Sequence, residues 1–172
     1  MLNNTIRNSI YFIVFVVLQV LLFNQISFFK VATPFLYIYF ILKLPEGTSR
    51  SLVVFYGFLT GLSIDIFSNT PGMHAAAATF AGLVRYPLIK RLTTKDMVET
   101  AAPSFYSMGA GGYTRYVVFF VLLHHAALLL IESFTLFDPL YLIIRILASS
   151  ALTIILLLAI EGFNYEVLKS EE

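Results

Sequence analysis

The residues of this chain that could do chemistry are few, and most lie inside apolar runs. Polar and charged groups at membrane depth cost free energy, so each one there marks a functional hypothesis. Asp65 is the clearest, in the stretch GFLTGLSIDIFSNTPGMHAAA. Gly57, Gly61 and Asp65 follow one another at i, i+4 and i+8, which places them along one drifting helical face. Asp65 then reads either as a packing or capping carboxylate at the turn 68–72, or as part of a partner-binding surface. Arg145 lies about one and a half turns into the last apolar run, at a depth similar to Asp65 and Glu132, so a pair with either would lower its burial cost. His124 and His125 are adjacent and point about 100° apart on a helix, which excludes a shared metal of the i, i+4 kind and suits helix-packing hydrogen bonds. His74 follows the turn and reads as interfacial. Asp65 and His74 could suggest a catalytic pair. The chain, however, has no Gly-x-Ser-x-Gly, no His-Glu-x-x-His and no paired Asp-rich motif, so an enzyme is not expected. Gly109-Ala110-Gly111-Gly112 lacks both a preceding strand and a following Gly-Lys-Ser/Thr, and reads as a hinge rather than a phosphate loop.

The elements that must position these groups are set by composition. Of 172 residues, 59% are hydrophobic and 12% charged, against about 45–50% and about 25% in soluble domains. Mean hydropathy is +0.85. A fold this small buries only about two-thirds of its surface, so a soluble globular enzyme and a disordered chain are both excluded. Net charge is +1, which gives no basic field for nucleic acid. No cysteine is present, which rules out disulfides, thiolate metal sites and cysteine nucleophiles. No cofactor is implied. Apolar runs cover roughly 9–26, 31–44, 51–67, 73–89, 116–134 and 140–160, without the alternation of a membrane β-strand, so the spanning elements are helices. The first run follows Arg7 but has no small-x-small cleavage site, and reads as an uncleaved helix. The expected fold is all-α, a single integral-membrane bundle of six transmembrane helices. The run 31–44 reaches about 21 Å as a helix, so it spans with Lys43 snorkelling or is re-entrant.

Lys and Arg placement orients the third to sixth runs with a cytoplasmic C-terminus, and six spans, preferred because the first hairpin then resembles the later ones, put the N-terminus inside as well. With six spans, Arg7, Lys43, Arg50, Arg85, Lys90, Arg91, Lys95, Arg115 and Lys169 fall on or near the inner side, Lys30 lies outside, and Arg145 lies within a span. Five spans with the N-terminus outside score equally well. Arg85, Lys90 and Arg91 read as positive-inside anchors that Glu161 meets. Residues 90–112 form the one long inner loop, with Thr93-x-x-Asp96 as a possible helix cap. Small residues on the third and fourth runs (Gly57 and Gly61 against Ala75, Ala78 and Gly82) suit a close helical hairpin.

The stretch 57–91 resembles the rod shape-determining MreD family. The residues that carry the resemblance are Gly57, Gly61, Asp65, Ser68, Pro71, Gly72, His74 and Ala75: a Gly-Leu-x-x-Asp helix, a turn with Pro and Gly, then a small-residue helix. Size and span number agree along the whole chain. The resemblance implies a non-enzymatic component of the bacterial inner membrane. It would work with a bitopic MreC-like protein, with MreB, RodZ, RodA and a class B penicillin-binding protein in the same assembly, so that lateral wall synthesis follows cytoskeletal filaments. The expected mechanism is that the hairpin, with Asp65 and residues 68–75, packs on a single-span partner helix. The chain also resembles the compact six-helix substrate-binding subunit of energy-coupling-factor vitamin transporters. That subunit typically carries an Ala-x-x-x-Ala docking surface in its first helix, whereas residues 9–26 contain no alanine. A pocket lined by Asp65, His74, Glu132 and Arg145 would be expected in that case.

Overall fold

The computed structural model describes residues 4–26, 31–92, 101–133 and 138–170. Helices are α1 (Asn4–Leu21), α2 (Ile38–Leu42), α3 (Arg50–Ser68), α4 (Met73–Leu92), α5 (Phe105–Glu132) and α6 (Pro139–Ser170), with a short 3-10 turn at Phe23–Gln25. No strand forms among the described residues. Four helical stretches, Ile6–Gln25, Arg50–Ser68, Phe105–Glu132 and Pro139–Glu166, are long and apolar enough to cross a membrane. Their exposed faces carry large apolar side chains such as Ile13, Phe55, Phe119, Ile143 and Ile155, the arrangement of a bundle whose solvent is hydrocarbon. The molecule is therefore read as a multi-pass helical membrane protein.

The closest helix pair is α3 with α4. A Cβ on Gly57 would lie 2.5 Å from the Ala78 carbonyl oxygen, one on Gly82 would lie 3.1 Å from that of Val53, and one on Gly61 would collide with the backbone of His74 and Ala75. The two backbones approach to a separation that only glycine allows, the small-residue packing expected of membrane helices. The connecting turn closes with Asn69 in the left-handed conformation at the α3 C-cap and Gly72 at φ 78°. We call this end of the bundle the hairpin end, and the end bearing Lys90 and Arg91 the basic end.

Two expectations are corrected. Residues 31–44 do not form a helix of spanning length; only Ile38–Leu42 is helical. Pro34 lacks an N–H and disfavours helix at residue 33, and Pro45 sets a similar limit on residue 44. The segment is nonetheless the most buried stretch among the described residues, with residues 37–42 no more than 2% exposed. It runs beside α6, meeting it at Ser149, Thr153 and Glu161, positions about 18 Å apart along the helix. Second, the stretch 90–112 is not one loop: α4 continues to Leu92, and α5 begins at Phe105 behind a capping box of Ser104 and Ser107. Gly109 breaks the helical dihedrals at φ 72°, ψ 156°, so the expected hinge is a kink within α5. Thr93 and Asp96 lie outside the described residues.

Candidate functional site

Non-helical backbone at membrane depth is tolerated only where protein satisfies its polar groups. In residues 31–44 side chains from four helices do so. Gln19 of α1, fully buried, accepts from the N–H of Leu36 at 2.7 Å and of Tyr37 at 3.4 Å, and donates to the Pro34 carbonyl at 3.0 Å. The N–H groups of Thr33 and Phe35 donate to Ser149 Oγ and Thr153 Oγ1 of α6, each at 3.1 Å. Arg85 of α4 donates to the Leu44 carbonyl, and the Tyr116 hydroxyl of α5 reaches the Leu42 carbonyl at 3.5 Å.

Two polar clusters hang on this segment. Towards the hairpin end, the Tyr37 hydroxyl lies 3.1 Å from His74 Nδ1 and 2.7 Å from His124 Nε2. His125 Nδ1 lies 2.9 Å from the Val121 carbonyl and 3.4 Å from His124 Nδ1, and its Nε2 lies 3.0 Å from Thr153 Oγ1. With neutral rings one proton assignment satisfies every contact and also gives the buried Tyr37 hydroxyl hydrogen an acceptor. The Val121 carbonyl only accepts, so His125 carries its hydrogen on Nδ1, and its Nε2 accepts from the Thr153 hydroxyl. His124 Nδ1, facing that N–H, is an acceptor, so His124 Nε2 donates to the Tyr37 oxygen. The Tyr37 hydroxyl then donates to His74 Nδ1, which leaves the His74 hydrogen on Nε2.

At the basic end, Glu161 of α6 gathers three donors. Lys43 Nζ approaches at 2.9 Å, the Tyr39 hydroxyl at 3.1 Å and the Phe105 N–H at 3.2 Å. Lys43 also donates to the Pro103 carbonyl at 2.8 Å, and Asn164 donates to the Tyr39 oxygen at 3.3 Å. The ion pair is about 9% and 3% exposed on its two side chains, so it is desolvated and its groups depend on one another.

The expected site residues fall in three places. Asp65 is buried inside the hairpin: Oδ1 accepts from the Thr70 hydroxyl at 2.6 Å and the His74 N–H at 3.1 Å, and Oδ2 accepts from the Ala75 N–H at 2.8 Å. It caps α4 from α3, where charge-assisted bonds are strongest. Gly57 and Gly61 line the same contact, and Pro71 and Gly72 form its exposed turn. His74, in the first turn of α4, is buried within the protein. Arg145 pairs with Glu132, at 3.0 and 3.1 Å to its two oxygens, and not with Asp65. Arg85 turns inward instead of anchoring at the surface, and Glu161 meets Lys43 rather than the basic residues of α4. Gln19, Tyr37, Tyr39 and Thr153 carry the buried network without having been singled out. Gln19 had a signal, as the one amide inside FIVFVVLQVLLF.

No family model, curated protein or solved structure matches this chain.

Proposed function

We propose that the chain is a non-enzymatic scaffold of the bacterial inner membrane, of the MreD type. In this reading it holds a bitopic MreC-like partner and so helps couple MreB filaments, RodZ, RodA and a class B penicillin-binding protein to lateral wall synthesis. The observation that supports it is the α3–α4 hairpin. Gly57, Gly61 and Asp65, which carry the resemblance, are spent on locking two helices at backbone contact and presenting the turn 69–72 at the surface. Asp65 acts here as a positioning residue, since its hydrogen bonds are internal; the partner meets the turn and the adjoining helix faces. The bundle crosses the membrane six times, five times as a regular helix and once through residues 31–44, with both termini cytoplasmic and the hairpin end outside. A photoreactive residue in place of Pro71 tests the reading. Cross-linking in native membranes is expected to capture a single-span protein and wall-synthesis enzymes, whereas cross-links confined to lipid refute it.

A second reading has its own support. A discontinuous segment at membrane depth is a mark of transporter sites, and a polar cleft of about 360 Å³ opens at the hairpin end beside His74. A substrate-binding subunit of the energy-coupling-factor type would be recovered with a coupling subunit and paired ATPases in the same experiment.

A further inference from the structure

The cleft at the hairpin end lies between the end of α1, the 3-10 turn and the end of α3, and is lined by Asn24, Gln25, Thr33, Phe67, Ser68 and His74. Its volume falls within the range of small-ligand sites, about 300–1,000 Å³. His74 is 7% exposed and uses Nδ1 on Tyr37; its Nε2 has no partner among the described residues. We propose that this cleft is a binding site for a neutral hydrogen-bond acceptor of the amide-carbonyl class, taken by the Nε2–H of His74.

Three observations select that chemistry. The chain from His125 through His124 and Tyr37 leaves the hydrogen of His74 on the nitrogen away from Tyr37. Reversing it would set N–H against N–H between His124 and His125, and letting the Tyr37 oxygen accept from both imidazoles would leave its own buried hydroxyl hydrogen without an acceptor, so a ligand offering a donor is mismatched. Ser68 adds a second donor: its oxygen accepts from Asn24 Nδ2 at 2.7 Å, which leaves the hydroxyl hydrogen for a ligand. The Asp65 carboxylate, bonded to the backbone N–H of His74 itself, sets a negative charge close to the site and disfavours an anion there. A neutral carbonyl fits all three, with Phe67 as an apolar wall. Tyr37 and His124 are positioning residues for this site, since they set the His74 tautomer without reaching the cleft. The inference does not depend on the scaffold reading, because it concerns only groups on this chain.

The test is histidine-nitrogen NMR on the full chain in nanodiscs, which the presence of only three histidines makes assignable. His74 and His124 are expected as Nε2–H tautomers and His125 as Nδ1–H. N-methylacetamide should shift the His74 Nε2 resonance saturably, while acetate and tetramethylammonium leave it in place. A capped tripeptide acting at lower concentration would assign the carbonyl to a polypeptide, and equal potency would assign it to a free solute; both support the class. Tyr37→Phe should mix the His74 tautomers and weaken the amide response about fivefold, the loss of one neutral hydrogen bond. An Nδ1–H tautomer at His74, a response to acetate or tetramethylammonium, or no saturable response to the amide in the wild-type protein overturns the proposal, whatever the variant does.

Discussion

At the scale of single residues, Asp65 and the glycines beside it show how a membrane protein spends a charge on order. Three donors from the turn and from α4 converge on one carboxylate. In Asp65→Asn an amide NH₂ must face one of those donors, and the loss is expected to be about 1–3 kcal/mol, measured as a fall in the thermal midpoint of the detergent-solubilised protein. Gly61→Ala drives a methyl into the backbone of α4 and should cost about 1–3 kcal/mol as an overpacked contact. Gly162→Ala, with open space around its Cβ position, should be neutral or stabilising by about 0.5–1 kcal/mol through helix propensity. Equal midpoints for the two alanine variants would remove the close-approach argument. This site was legible in the sequence because its parts recur at helical spacing within one short stretch. The contact of Tyr37 with His74 and His124 was not, because three separate elements must converge before those residues become neighbours.

At the scale of elements, the unusual part is a segment of one and a half helical turns and extended backbone held by other helices' side chains. Its two ends are fixed by different physics. Near the hairpin end neutral amide and hydroxyl groups hold it; near the basic end a desolvated ion pair does. Removing one member of a buried pair leaves an uncompensated charge, so Lys43→Met alone should destabilise by about 3–5 kcal/mol, while Lys43→Met with Glu161→Met should recover much of that loss. A double-mutant cycle on chemical or thermal unfolding reads the coupling. Additive losses would mean that the two groups act independently. By contrast, Arg145→Ala should cost no more than about 1 kcal/mol, since its guanidinium reaches to Glu132, the last residue of α5, at the hairpin end, with side-chain exposures of 23% and 43%. The shortness of 31–44 was legible from its 14 residues and flanking prolines, and so was the re-entrant alternative. What replaces the missing helical bonds was not, because those partners lie more than a hundred residues away in the chain for Ser149 and Thr153.

At the scale of the whole molecule, the helical bundle followed from composition and run lengths, while the path of the chain follows from where its polar contacts sit. The absence of native cysteine makes that path measurable. Gln25→Cys and Pro71→Cys should react with an impermeant thiol reagent on intact cells, and Gly47→Cys only after permeabilisation. Reaction of Gln25→Cys only after permeabilisation would leave residues 31–44 on the inner side and reduce the crossings to five. The same threaded segment also bears on the order of assembly during synthesis. Every side chain of α6 that satisfies it, Ser149, Thr153 and Glu161, is made after α1 to α5, so residues 31–44 cannot reach their final environment while the ribosome is still on the first four helices. The nascent chain must hold an apolar stretch with unsaturated backbone in waiting until α6 arrives. Premature termination before α6 would then strip the centre of the protein, not its edge.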